Sequence, residues 1–192
     1  MTLVDPHAAL PAEPRSVERI VADGQHNAFA AFARWRGRYV LAFRKGTGHT
    51  SRDGDLVVLD SPDTESWDEV AHFDTGGDDR DAQLVALGDR LWLYFNTRTD
   101  GLFAIYACSS ADGRTWSTPH KIYRDGYILW NPIKFAGRLY AGIHRPGADD
   151  YRHVPLATSE DGLKWDKISA IRENRGESET SLLFADNGHL TA

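Results

Sequence analysis

Short apolar runs, separated by turns rich in glycine and aspartate, recur along this chain in sets of four. In the first set Ala28 to Ala33, Tyr39 to Phe43, Leu56 to Leu59 and Val70 to Phe73 read as strands. A turn at Arg36-Gly37 joins the first two, and a long polar loop from Arg44 to Asp55 joins the next two. The second set is Gln83 to Leu87, Leu91 to Phe95, Phe103 to Cys108 and Lys121 to Tyr123, with its turn at Gly88-Asp89. The third is Ile133 to Phe135, Leu139 to Ile143, Val154 to Thr158 and Ile168 to Ile171, turning at Gly137. A fourth begins at Ser181 to Phe184 and reaches Asn187-Gly188.

Between the third and fourth strands of each full set stands the same polar turn. Its copies are Ser61, Asp63 and Trp67; Ser110, Asp112, Gly113 and Trp116; and Ser159, Asp161, Gly162 and Trp165, with the tryptophans recurring every 49 residues. The serine and aspartate side chains can bond nearby backbone N–H groups, glycine accepts positive φ, and the tryptophan plugs the turn against the sheet. Thr64 stands where the other copies have glycine, so the first turn is expected to find another route. A period near fifty with one turn per repeat predicts an all-β fold, a β-propeller of four-stranded antiparallel blades. The blades are expected at about residues 25–75, 76–124, 125–174 and, incomplete, 175–192, after an N-terminal tail or strap over 1–24. Three full repeats and part of a fourth do not close a ring of such blades, so the chain is expected to be a piece of a larger propeller. The rival is a four-bladed ring completed by N-terminal strands. An open blade edge predicts self-association.

Composition narrows the function classes. The chain has 192 residues, 41% hydrophobic and 26% charged, as ordinary globular domains do. It has no apolar run of about 18 residues and no secretory signal, which predicts no membrane partner and, by default, a cytoplasmic location. The lone Cys108 excludes an internal disulfide and a multi-cysteine metal site, and reads as a buried filler. A net charge of −6 argues against nucleic acid as a partner. No motif implies a cofactor, and no tight ligand cluster accompanies the histidines, so no metal is expected.

Propeller topology sorts the loops onto two ends. The plain turns and the Ser-x-Asp turns share one end. The other gathers His26, Asn27, Arg44, His49, Asp53 and Asp55 from the first repeat, and Asp78, Asp79, Arg80, Asp81, Asn96, Arg98 and Asp100 from the second. Tyr127, Trp130, Asn131, His144, Arg145, Tyr151, Arg152 and His153 come from the third, with Glu177 and Glu179 from the fourth. A rim rich in arginine, aspartate and aromatic rings suits a carbohydrate, where hydrogen bonding and ring stacking share the work. Plainer readings stand beside this one. Arg80-Asp81 can be an ion pair tying adjacent blades, Asp53 an Asx-turn, His49 and His144 loop hydrogen-bonders, and Trp130 part of the core wall.

The Ser-x-Asp turns and the strand order around them resemble the sialidase superfamily of six-bladed propellers. His26-Asn27-Ala28-Phe29, Phe43-Arg44-x-Gly46-x-Gly48-His49 and Arg80-Asp81 are closest to bacterial sialidase-like, glycosyl hydrolase-like proteins of that group. Glu179, followed by an apolar strand and an Asn-Gly turn nine residues on, matches the sialidase glutamate. The resemblance implies that Glu179 activates a tyrosine nucleophile, that Asp53 or its neighbour Asp55 serves as acid/base, and that Arg44 and Arg80 hold acidic or hydroxyl groups. Asn27 occupies the place of the family's first carboxylate-clamping arginine, and the two later arginines and the tyrosine would fall beyond Ala192. The function expected is therefore a glycoside hydrolase-like propeller domain acting on a glycan. The alternative is a non-catalytic module that binds a glycan or a protein.

Overall fold

The computed structural model describes residues 16–146, 153–173 and 179–192. Every regular element among them is a strand. Four strands, β1 (His26–Trp35), β2 (Arg38–Gly46), β3 (Asp55–Ser61) and β4 (Asp68–Phe73), pair in chain order as an antiparallel meander. The second sheet repeats it with β5 (Asp78–Leu87), β6 (Arg90–Thr99), β7 (Leu102–Ser110) and the short β8 (His120–Lys121). The third uses β9 (Ile128–Phe135), β10 (Arg138–His144), β11 (His153–Ser159) and β12 (Asp166–Glu173), and β13 (Leu183–Phe184) pairs with β14 (Leu190–Thr191) in a two-stranded piece. This is the blade arrangement of a propeller.

Alternation along each strand explains the stacking. On β6, Leu91, Leu93 and Phe95 face the first sheet, packing with Val40, Ala42, Leu56 and Val58. The intervening Trp92 and Tyr94 face the third sheet, packing with Leu139, Ala141, Ile143 and Trp165. A strand with period two that is apolar on both faces must be sandwiched, and the middle blade is. Cys108 lies in the first of these cores, where burial pushes its thiol pKa up. The far face of the first sheet is covered in part by Val21, which joins Phe43, Val57, Leu59 and Trp67. The fourth repeat docks through Phe184, whose ring stacks on Phe135 with centroids 4.1 Å apart.

The Ser-x-Asp turns are self-contained locks. Asp112 Oδ1 accepts from the backbone N–H of Arg114 at 2.8 Å and of Thr115 at 2.7 Å, while Ser110 Oγ accepts from Gly113 N–H at 2.8 Å. These bonds, led by the backbone ones, hold the Asp112 carboxyl far below the usual range. Asp63 and Asp161 do the same. The first turn takes no other route: Thr64 adopts φ 74°, the left-handed conformation that Gly113 and Gly162 hold at 83° and 82°. That costs a non-glycine residue ~1–2 kcal/mol, and the seven-residue lock imposes it. The tryptophans divide differently. Trp67 Nε1 donates to Thr64 O at 2.9 Å and Trp116 Nε1 to Gly113 O at 3.2 Å, but in the third copy Gly162 O accepts from Tyr94 of the neighbouring blade at 2.7 Å.

This end also ties the first two blades together. Trp35 Nε1 donates to Ala111 O at 3.0 Å and Arg36 Nη2 to Asp89 O at 3.2 Å. Asp60, wholly buried, receives both Arg38 of its own blade and Arg114 of the next.

Candidate functional site

The opposite end is irregular in a repeated way. Each innermost strand bulges at one place, and the bulge holds a left-handed residue that is not glycine: Phe29 at φ 55°, Asp81 at 59° and Asn131 at 40°. Bulges re-aim side chains and gather next to binding and active sites. The residue just before each bulge, Ala28, Arg80 or Trp130, pairs across to Arg44, Asn96 or Gly142 on the second strand.

Those three second-strand positions each reach the next blade. Arg44 Nε donates to Asp78 Oδ1 at 2.6 Å, and its Nη2 donates to Ser51 O and Oγ. Asn96 accepts from Leu129 N–H at 3.0 Å and donates to Asp81 Oδ2 at 3.3 Å. Gly142 has no side chain because Thr180 fills the space; a Cβ there would lie 3.0 Å from Thr180 Cβ. Room for the Arg44 guanidinium comes from glycines too, since a Cβ at position 54 would lie 2.1 Å from Asp78 Oδ1. Arg44 is therefore a wholly buried inter-blade pin rather than a group open to a ligand.

Arg80 differs. Its side chain is 11% exposed, its Cζ lies 4.5 Å from the centre of the Phe29 ring, Nη1 donates to Asp78 Oδ2 at 3.2 Å and Nε sits 3.5 Å from Asp81 Oδ1. Phe29 in turn touches the ring of His49, centroids 5.2 Å apart, and His49 meets His26 at 5.5 Å. Phe29, Arg80, Asp81, His26 and His49 thus form one connected patch across the first two blades. Trp130 and His144 stack with parallel rings 6.4 Å apart on the third. Arg145 is exposed, and its Nε lies beside Gly126. Glu179 is exposed and precedes Thr180, which packs against Gly142 of the third blade. Tyr151, Arg152 and Glu177 lie outside the described residues.

The carboxyls separate by environment. Asp53 is exposed, and hydrogen bonds from the Ser51 and Thr47 side chains and the Thr47 N–H hold it down to about 2. It is locked in its turn, and a group so acidic has no proton to donate near neutrality. Burial pushes Asp79 up to about 6, against hydrogen bonds from Thr75 and Thr97. Asp81 is also raised by burial, which outweighs the opposing charge of Arg80. His144, buried, falls to about 4 and is neutral. Among the described residues, no group of histidine, cysteine and acidic side chains gathers as a metal site would require. Buried atoms with no hydrogen-bond partner concentrate at this end: His26 Nδ1, Asn27 Oδ1, Arg44 Nη1, Trp130 Nε1 and His144 Nδ1.

No protein-family model and no curated protein matches the sequence. Solved structures do. A mannoside phosphorylase-family protein, from a family described as containing glycoside hydrolases that target β-1,2 mannosidic linkages in Candida mannan, is 15% identical over 90% of this chain and 64% of its own, with TM-score 0.61. The β-1,2-mannobiose phosphorylase of Listeria innocua is 12% identical over 83% of this chain and 63% of its own, TM-score 0.55. A family 117 glycoside hydrolase of the marine bacterium Zobellia galactanivorans is 11% identical over 76% of this chain and 46% of its own, TM-score 0.55. The fold is that of the propeller glycosidases. The chain spans about half to two thirds of the length of these proteins.

Within that propeller fold, sequence reading named Phe29 and Asp78 without assigning either a role, and missed Thr75. Phe29 looks like another apolar strand residue, and only its positive φ and its contact with Arg80 set it apart. Asp78 is one of four polar residues in a row, Asp78 to Asp81, and nothing local says which of them faces Arg44. A signal did exist for two of the bulges: Arg80-Asp81 and Trp130-Asn131 interrupt the apolar alternation a few residues before Gly88 and Gly137, whereas Phe29-Ala30 in the first repeat does not stand out.

Proposed function

We propose that this chain forms part of a glycan-acting, glycoside hydrolase-type propeller and contributes the patch around Arg80 and Asp81 to its sugar site. The observation that carries this reading is the row of three non-glycine left-handed bulges at one end of the inner strands. Strain kept at equivalent points of three blades needs a use, and here it turns polar and aromatic side chains toward a common rim. The unpartnered buried donors and acceptors beside it fit the same reading, because a sugar offers hydroxyls to both. Of the carboxyls, Asp81 is the one suited to exchanging a proton with a ligand. Asp79 is enclosed by two threonines, and Asp53 is held ionised.

The sialidase-type version of this proposal gains support from the Ser-x-Asp turns and from Glu179 before its apolar strand; Asn27 in place of an arginine counts against it. A non-catalytic glycan-binding module is favoured by the low pKa of Asp53. Release of sugar from aryl glycosides, compared for the parent sequence and for Asp81→Asn and Glu179→Gln, tests the proposal. Hydrolysis lost with Asp81→Asn supports a catalytic site at the bulge, and loss with Glu179→Gln together with cleavage of a sialoside supports the sialidase version. Glycan binding with no release selects the binding module, and neither binding nor release overturns the proposal.

A further inference from the structure

The charge pattern around Arg80 bears on which sugars the patch accepts, provided the preceding proposal of a sugar site holds. Asp78 takes Arg44 Nε on one oxygen at 2.6 Å and Arg80 Nη1 on the other at 3.2 Å. Asp81 lies along the remaining flank of Arg80, 3.5 Å from Nε. Two guanidiniums therefore meet two carboxylates, and one of the guanidiniums is wholly enclosed. An incoming carboxylate or sulfate would approach Arg80 with Asp78 and Asp81 already beside it, and like charges at that range oppose the contact. Asp53, held ionised one residue before Gly54, whose backbone oxygen accepts from Asp79 N–H, adds negative charge on this side.

A neutral sugar meets no such opposition. We infer that the patch selects neutral sugars, with two adjacent hydroxyls shared between Asp81, which accepts one O–H, and Arg80, which donates an outer N–H to the oxygen of the other. The surroundings fix both partners for this. Asn96 Nδ2 donates to Asp81 Oδ2 at 3.3 Å while Asn96 is itself bonded to Leu129 of the next blade. Arg80 is held over the Phe29 ring and between Asp78 and Asp81, so its remaining N–H groups are aimed rather than mobile. Each hydroxyl is both donor and acceptor, so an adjacent pair can give an O–H to the carboxylate and take an N–H from the guanidinium without adding a charge.

The test is binding of the full chain, at pH 7.5, to an array of neutral oligosaccharides and to matched backbones carrying uronate, sialate or sulfate, with affinities of the best pairs measured calorimetrically. Neutral glycans are expected to bind at least tenfold more tightly than their acidic counterparts. Asp81→Asn, which tolerates the left-handed backbone, is expected to weaken neutral binding and to narrow the gap by admitting acidic glycans; Arg80→Gln is expected to weaken neutral binding tenfold or more. Thermal melts of both variants separate misfolding from lost recognition. Tighter binding of acidic glycans by the parent chain, or an unchanged preference in a folded Asp81→Asn, overturns the inference and leaves the sugar site standing. Binding of no glycan at all overturns the sugar site, and the inference with it.

Discussion

The buried Arg44–Asp78 pair offers the sharpest test of how these blades hold together. Arg44 is 0% exposed and Asp78 is 4% exposed, so neither charge has water to fall back on. Replacing Arg44 by Met removes the nearer cation and leaves Asp78 with the longer contact to Arg80; replacing Asp78 by Leu strands Arg44 with only Ser51 as a polar partner. Breaking a buried pair from one side typically costs 3–5 kcal/mol, roughly, because the remaining charge is uncompensated. In a chain of this size ~1 kcal/mol moves the melting temperature by about 2–4 °C, so each single substitution should lower it by roughly 6–20 °C. The double substitution Arg44→Met with Asp78→Leu removes both charges and should recover most of that loss. Urea and thermal melts of the four proteins close the cycle. If each single change cost under ~1 kcal/mol and the double change were their sum, the pair would be solvated and the inter-blade pin would not exist.

Asp79 gives a pH signature with an unusual sign. Its pKa rises from 3.8 to about 6 on folding, so between those values the folded chain binds more protons than the unfolded one, and stability falls as pH rises through that window. Asp79→Asn should flatten the dependence there, gaining on the order of 2–3 kcal/mol relative to the parent between pH 4 and pH 7 in urea melts. Tyr94→Phe removes the bond to Gly162 O but frees that carbonyl for Trp165 Nε1, so the cost in chemical denaturation should be small, about 0.5–1.5 kcal/mol. Gly162→Ala has no such escape: φ is 82° and the new Cβ would lie 2.6 Å from the Trp92 ring, so a loss upwards of ~2 kcal/mol is expected. Thr64→Gly should do the reverse in the first turn and stabilise by up to ~1 kcal/mol, read by the same melts.

What the chain's own order of residues determined is everything that depends on near neighbours. The period of the tryptophans, the alternation along β6 and the glycine after each tight turn act within a few residues, so the blades and their locks are legible without coordinates. The end of the blades at which the polar residues collect was legible as well, because antiparallel pairing leaves no other arrangement. Only the tertiary structure decided what those residues do there. Arg44 and Arg80 look alike in sequence, yet one is sealed between blades against Asp78 and the other lies on Phe29 with an edge toward solvent. Asp53 and Asp81 are both aspartates beside an arginine, and burial raises one while hydroxyl and amide donors lower the other. Even the third turn's missing tryptophan bond depends on Tyr94, a residue 68 positions away. The physical reason is common to all of these: charge, strain and desolvation are set by what the next blade brings within a few ångströms, and no local pattern records which side chain that is.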